Sequence, residues 1–325
     1  MRVAILDDFQ KVAHSLADWS SLDGRASVTF FHDHLENQDR LVERLRDFDA
    51  IMVMRERTAF PRAVIERLPN LKLLLNSGMG NRSVDMKAAS DHGITVCGTD
   101  GGSMPTAELA WGMIIGLARH IPSEDRATRL GSWQTDLGIG LAGRTLGVLG
   151  LGKLGAQVAK VGQIFNMTVM AWSQNLTEER CRDVGVTKAT SKDELLSKAD
   201  VVSIHLVLSD RTRGLIGRRE FGLMKPTAYL INTSRGPIVD QAALIEALET
   251  KRIAGAGIDV YDVEPLPPDS PMRHLPRSII TPHLGYATEG NYREYYGKTV
   301  ENILAFLDGH PIRVINRAAP SAAHG

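Results

Sequence analysis

Gly147-Val148-Leu149-Gly150-Leu151-Gly152-Lys153-Leu154-Gly155 decides how this chain is to be read. The apolar run Thr145–Leu149 reads as a strand, and Leu154–Phe165 carries helical spacing. Between them the glycines fit G-x-G-x-x-G, a weak signal alone and a strong one where a strand runs into a helix. Glycine there permits a tight turn, close approach of a pyrophosphate to the backbone, and packing of helix on strand. The helix N-terminus then offers unpaired N–H groups and the positive end of its dipole to the anion. Gly150, Gly152, Lys153, Leu154 and Gly155 are accordingly the candidate contacts of a dinucleotide.

Outward from this loop, short apolar runs alternate with helix-period segments. Val3–Leu6, Val28–Phe31, Ala50–Val53 and Leu71–Leu75 read as strands, with helices over Gln38–Arg46 and Pro61–Leu68. A long apolar helix, Thr106–His120, is followed by the polar stretch Pro122–Gly143. A second series has strands at Thr145–Leu149, Thr168–Ala171, Val201–His205, Ala228–Ile231, Ala256–Ile258 and Ser278–Ile280, with a helix over Gln241–Leu248. Strands apolar throughout and separated by helices predict parallel sheets covered on both faces, an α/β fold. Glu264–Pro276 holds five prolines and reads as a loop, Glu289–Leu307 as a last helix, and Ala318–Gly325 as a frayed end.

The 325 residues suggest two domains. Lys plus Arg equals Asp plus Glu at 38 each, which argues against a nucleic-acid partner, a role that needs a basic surface. The opening residues read as a strand rather than a signal peptide, and no run has the length of a membrane span, so the expectation is a cytoplasmic protein with no membrane partner. Cys97 and Cys181 make neither a disulfide framework nor a metal-ligand spacing, so no metal site is expected.

Three charged residues stand just past later strands: Arg235 in Asn232-Thr233-Ser234-Arg235-Gly236, Glu264 after Asp259-Val260-Tyr261, and His283 in Thr281-Pro282-His283. In an open α/β sheet the ligand crevice lies at the carboxyl ends of the strands. The set suffices for carbonyl reduction: a guanidinium polarises the oxygen and holds a carboxylate, an imidazolium donates the proton, and a carboxylate orients the imidazole. Taken singly, an Arg or Glu is more often a solvated surface charge, and a lone His more often a hydrogen-bonded structural group. The strand after the nucleotide loop lacks the acid that binds an adenosine ribose; Trp172-Ser173-Gln174-Asn175 stands there, with Arg180 and Arg182 a turn or more down the next helix. The expectation is therefore NAD with NADP also accepted, and NADH slightly favoured.

With these motifs assembled, the chain resembles the NAD(P)-dependent D-isomer-specific 2-hydroxyacid dehydrogenases, of the phosphoglycerate dehydrogenase and glyoxylate/hydroxypyruvate reductase kind. Gly147–Gly155, Leu230–Asp240, Gly255–Pro265 and Thr281–Gly285 carry the likeness, joined by Leu71–Gly80, Asp85–Ala89, Gly93–Val96 and Ala107-Glu108. The resemblance implies that Arg235 binds substrate, that His283 is the acid/base with Glu264 as its partner, and that Asp259 contacts the nicotinamide side. It implies a substrate carboxylate held by the Met79 and Gly80 amides, with Arg55 nearby, and a coenzyme cleft lined by Leu206, Thr233, Ser173 and Gln174. It also implies two doubly wound parallel-sheet domains, with a Rossmann coenzyme domain at 102–287 inserted in a flavodoxin-like substrate domain of 1–101 and 288–325. A homodimer through the long helix follows, with Trp111, Met113, Ile114 and Ile115 fitting either its interface or an internal core.

Two departures stand out: Arg82-Ser83 replaces the usual Asp-Asn after the Gly-x-Gly turn, and Ser173 replaces the ribose-binding acid. No regulatory domain is expected after the last helix. The leading reading is an oxidoreductase moving a hydride between NAD(P)H and a small 2-keto acid or D-2-hydroxy acid. The alternatives are a formate dehydrogenase-like enzyme, against which Glu264 stands where those relatives have Gln, and a coenzyme-sensing, corepressor-like binding protein.

Overall fold

The computed structural model describes residues 1–316; the stretch Ala318–Gly325 read as a frayed end lies outside the described residues. The chain divides into two compact units, one of Met1–Gly102 with the segment from Thr288 onward, the other of Ser103–Ala287.

In the first unit β1 (Arg2–Ile5), β2 (Ser27–Phe30), β3 (Ala50–Val53), β4 (Leu73–Ser77) and β5 (Thr95–Thr99) form one sheet in the order β2-β1-β3-β4-β5, every pairing parallel. Strands β3 and β4 are buried along their whole length, as a sheet covered on both faces requires. The helices Gln38–Leu45, Met86–Asp91 and Glu289–Leu307 each begin at a polar residue, Asn37, Asp85 and Thr288, whose side chain accepts a first-turn N–H. This is the flavodoxin-like strand order.

In the second unit β6 (Thr145–Leu149), β7 (Thr168–Trp172), β8 (Thr187–Lys188), β9 (Val201–Ile204), β10 (Tyr229–Asn232), β11 (Gly255–Ile258) and β12 (Ser278–Ile280) form a parallel sheet ordered β12-β11-β10-β9-β6-β7-β8. The order reverses between β6 and β9, the switch point at which doubly wound sheets open a crevice. The fold class expected from the strand pattern is the one observed.

The differences are local and have physical reasons. Strand β5 went unread because Thr95-Val96-Cys97-Gly98-Thr99 is only partly apolar, yet its last four residues are fully buried. The two-residue β8 is too short to leave a pattern. Within the polar stretch after the long helix, Ile121–Arg129 is helical although none of its residues is buried; it is closed by ion pairs such as Arg129–Asp125. The helix expected over Pro61–Leu68 is only Arg62–Ile65, with Pro61 at its N-cap. Trp111, Met113 and Ile114 of helix Met104–Ala118 serve an internal core: they are buried within their own unit, and the Trp111 indole donates to the Val158 carbonyl at 3.2 Å. Among the described residues no helix is long and apolar enough to cross a membrane.

At the switch point His205, just past β9, is half-buried; its Nε2 meets Ser203 Oγ at 2.8 Å, and its Nδ1 is buried with no partner. Burial penalises the charged ring and pushes its pKa down to about 4. The unfolded chain, with histidine near 6.5, takes up a proton that the folded chain refuses. Stability is therefore complete above pH 6.5 and drains as pH falls toward 4, by about 2 kcal/mol at pH 5 for this group. In urea titrations at pH 7 and pH 5, His205→Gln is expected to lose that much less than the wild type. An equal loss in both proteins would show that the acid sensitivity lies elsewhere.

Candidate active site

The nucleotide loop is built by contact. Gly150 leaves β6 with φ +97°, and a Cβ there would sit 2.5 Å from the His205 carbonyl oxygen. A Cβ at Gly155 would fall 1.9 Å from the carbonyl oxygen of Gly150, so this glycine lets helix Lys153–Ile164 seat on the strand end. Gly152 is different: a Cβ there would meet nothing within 4 Å. It is the N-cap of the helix and has no side chain to satisfy the first-turn N–H groups. Lys153 and Gly152 are exposed, and Leu154 packs against the core. Leu206 closes the far side of the loop, its Cδ2 2.9 Å from where a Gly150 Cβ would lie. Thr233, at the end of β10, is buried with its Oγ1 unpartnered. An open glycine face, an uncapped helix start and an orphaned hydroxyl at the carboxyl edge fit a dinucleotide.

Ser173 and Gln174 follow β7, the first half-buried and the second exposed. Trp172 accepts the Gly150 N–H at 2.9 Å, so the two strand ends are neighbours. Arg180 is not a turn away from this place. Its guanidinium folds back on the loop, Nε donating to the Leu151 carbonyl at 3.0 Å and Nη2 to that of Gly152 at 3.4 Å. A helical position says how far a Cα has travelled and not where a long side chain returns.

His283 and Glu264 meet as the charges required: His283 Nδ1 lies 2.5 Å from Glu264 Oε2, while Oε1 accepts the Tyr261 N–H at 2.8 Å. Both oxygens are thus engaged, and the imidazole keeps Nε2 for other partners. The His283 side chain is 18% exposed, sheltered yet reachable. Tyr286 packs edge-on against its ring, centroids 5.5 Å apart. Asp259 is fully buried beneath, and both of its oxygens are used within the His283 loop. Oδ1 accepts Thr281 Oγ1 at 2.5 Å and the Leu284 N–H at 2.7 Å; Oδ2 accepts the Gly285 N–H at 2.9 Å. Desolvation raises its pKa, opposed by these hydrogen bonds and by His283. Its contacts within the described chain make it the anchor of the catalytic loop.

Arg235 follows β10, and its Nη1 donates to the Ser234 carbonyl at 2.6 Å. Asn232, missed at the sequence level, braces this turn: its Nδ2 donates to the Arg235 carbonyl and its Oδ1 accepts the Ser234 N–H. A Cβ at Gly236 would lie 2.1 Å from the Tyr261 carbonyl carbon, so the Arg235 loop is pressed on the backbone that leads into Glu264.

Arg55, Met79 and Gly80 belong to the first unit and share its carboxyl edge, past β3 and β4. Asn76 and Asn81, also missed, tie them together. Asn76 Nδ2 donates to the carbonyls of Gly78 at 2.7 Å and Gly80 at 3.3 Å; Asn81 Nδ2 donates to Asn76 Oδ1 at 2.8 Å and to the Arg55 carbonyl at 2.5 Å. In a trans peptide C=O and N–H point opposite ways, so fixing the Gly78 carbonyl aims the Met79 amide away from Asn76. A side-chain amide at the end of a strand just before Gly-x-Gly was the available signal. Among the described residues no group of three His, Cys, Asp or Glu side chains gathers as a metal ligand set.

Fold and loop together define a dinucleotide-binding α/β protein. A family model described as "D-isomer specific 2-hydroxyacid dehydrogenase, NAD binding domain" matches residues 111–285. The chain is 36% identical to the D-3-phosphoglycerate dehydrogenase of Archaeoglobus fulgidus over 85% of its own length and 53% of that protein. It is also 36% identical to the glyoxylate reductase of Aeropyrum pernix, over 78% of this chain and 79% of the relative. A phosphoglycerate oxidoreductase structure from Vibrio cholerae superposes with a TM-score of 0.90 at 36% identity, over 95% of this chain and 99% of that one. The chain therefore belongs to the D-isomer specific 2-hydroxyacid dehydrogenase family, and its coenzyme is of the NAD(P) type. It spans about half the length of the curated phosphoglycerate dehydrogenases it matches.

Two glycines separate folding from binding. Gly152→Ala adds a methyl to open space at an ordinary negative φ, so the thermal midpoint should stay within a degree or two while dinucleotide affinity falls about tenfold or more. Gly155→Ala should instead lower the midpoint by several degrees, because its methyl collides with backbone. Unchanged dinucleotide affinity in Gly152→Ala, measured by titration calorimetry, would place the anion elsewhere.

Proposed function

We propose that this protein interconverts a small 2-keto acid and the corresponding D-2-hydroxy acid with an NAD(P) coenzyme, as an enzyme of the cytoplasm. The observation that carries this reading is the His283–Glu264 pair, 2.5 Å apart, on loops at the same sheet edge as the glycine loop and Arg235. The unit Ser103–Ala287 is the coenzyme domain in this reading, and the unit built on β1–β5 supplies the substrate contacts. The nicotinamide, when bound, provides the hydride acceptor or donor. In reduction His283 gives a proton to the substrate oxygen as C2 becomes a carbinol carbon; in oxidation it takes that proton back. Glu264 orients the ring through its contact with Nδ1. Arg235 binds the carboxylate and polarises the carbonyl, a task suited to a planar, always-charged fork. Arg55 and the Met79 and Gly80 amides hold the substrate carboxylate. Asp259 holds the His283 loop beside the nicotinamide, while Ser173, Gln174, Leu206 and Thr233 line the coenzyme cleft with Gly150, Gly152, Lys153, Leu154 and Gly155.

A homodimer completes the proposal. With the apolar face of the long helix spent internally, the candidate contact is the segment beyond it, where Leu130, Trp133 and Leu137 are large, apolar and 76–89% exposed. A monomer seldom leaves such a cluster in water, and a second copy would cover it.

Loss of NADH or NADPH absorbance with a panel of glyoxylate, hydroxypyruvate and other small 2-keto acids tests the activity. His283→Ala should slow the chemical step on the order of 10²–10⁴-fold. Glu264→Gln should be milder, lowering the rate of the chemical step about tenfold, because a neutral amide orients the ring more weakly than a carboxylate. An unchanged rate in Glu264→Gln would remove Glu264 from the proton-transfer geometry, and no turnover of any keto acid would overturn the assignment. For the dimer, Leu137→Asp is expected to yield monomers in sedimentation; a dimer that persists would put the interface on another surface.

A further inference from the structure

The coenzyme pocket contains a cation that helical spacing alone places a turn or more away. Thr177 caps helix Glu178–Val184 by accepting the Arg180 N–H, and from that first turn the Arg180 side chain returns to the glycine loop. A guanidinium carries five N–H donors in a fixed fork. The two spent on the Leu151 and Gly152 carbonyls, Nε and Nη2, lie along one edge, so the Nη1 edge faces away from them. The group bridges the helix after β7 and the loop after β6, and those strands are neighbours with Leu149 opposite Trp172. In a doubly wound dinucleotide fold the adenosine ribose sits between these two places, where an acid selects the 2′-hydroxyl and an arginine accepts the 2′-phosphate.

Here the acid is absent: Ser173, Gln174, Asn175, Leu176 and Thr177 carry no charge. Of the carboxylates on Arg180's own helix, Glu178 pairs with Lys188 at 3.5 Å, and Glu179 and Asp183 are exposed. A half-buried, carbonyl-braced guanidinium with no opposing acid at the strand end is arranged for an anion. We propose that Arg180 is the specificity-determining residue for the coenzyme, its outer edge taking the 2′-phosphate of NADPH with Ser173 as a neutral second donor. The preference then runs to NADP(H), against the slight NADH preference that residues 172–176 suggest. The inference rests on the coenzyme reading of this pocket and is independent of which keto acid is reduced.

Dissociation constants of NADP⁺, NAD⁺, 2′,5′-ADP and ADP, measured by titration calorimetry without substrate, test it. Wild type should bind NADP⁺ at least as tightly as NAD⁺. Arg180→Gln should weaken NADP⁺ and 2′,5′-ADP about 10–100-fold, as for loss of a charged hydrogen-bonding partner, and change NAD⁺ and ADP by less than about threefold. Ser173→Asp, which keeps the arginine, should repel the 2′-phosphate ligands and spare NAD⁺. Equal weakening of all four ligands in Arg180→Gln would make the arginine a brace of the loop alone and overturn the proposal. So would a tenfold wild-type preference for NAD⁺, with the dehydrogenase reading untouched. Conversely, tight selective binding of NADP⁺ without turnover of any keto acid would sink that reading and leave Arg180 its role.

Discussion

The candidate chemistry hangs on one buried carboxylate. Asp259 lies at the end of β11 with no exposure to water, a position in which an uncompensated charge is expensive. Three donors of the next crossover, the Thr281 hydroxyl and the Leu284 and Gly285 amides, offset that cost. All three flank His283, so satisfying the carboxylate and holding the histidine loop are one event. His283 itself is in the left-handed region at φ 55°, a conformation non-glycine residues adopt only when their surroundings impose it. Release of the Asp259 clamp would remove what imposes it, and the 2.5 Å approach to Glu264 with it.

Parallel sheets explain why such clamps are needed. Every strand in both sheets runs the same way, so all the loops that can carry function leave from one edge. The strand interiors are mostly apolar, and the polar partners stand at or just past the carboxyl ends. Each functional loop is then braced by a polar side chain at a strand end or in the loop: Asn232 for the Arg235 turn, Asn76 and Asn81 for the Gly78–Gly80 turn, and Asp259, from the end of the neighbouring strand, for the His283 turn. The same device recurs at three strand ends because the same topological problem does.

This division also separates what was legible in the sequence from what was not. Apolar runs and the strand–glycine–helix passage at 145–165 repeat with a period set by the fold, so sheet direction, the two series and the three charged residues past strand ends could be read along the chain. The bracing amides could not: Asn76, Asn81 and Asn232 look like ordinary loop asparagines until the carbonyls they hold are seen. Arg180 was misjudged for the same reason. Its 28-residue separation from Gly152 is bridged by a side chain, and periodicity describes backbones. Helix Ile121–Arg129 hid because it buries nothing, leaving no apolar stripe to count.

Two of the buried polar atoms left without partners point the same way as those that are satisfied. A buried donor or acceptor with nothing to bond costs about 1–3 kcal/mol, a large share of a domain's net stability. Thr233 Oγ1 and His205 Nδ1 both bear that cost, and both lie one residue past the carboxyl end of a strand, β10 and β9. Those two strands are adjacent, and β9 flanks the switch point beside the glycine loop. A sheet edge that satisfies the Ser234 and Arg235 carbonyls and both oxygens of Asp259 is well built. An orphaned hydroxyl at that edge, two strands from the uncapped helix start, is polar capacity held in reserve for a ligand's own donors and acceptors.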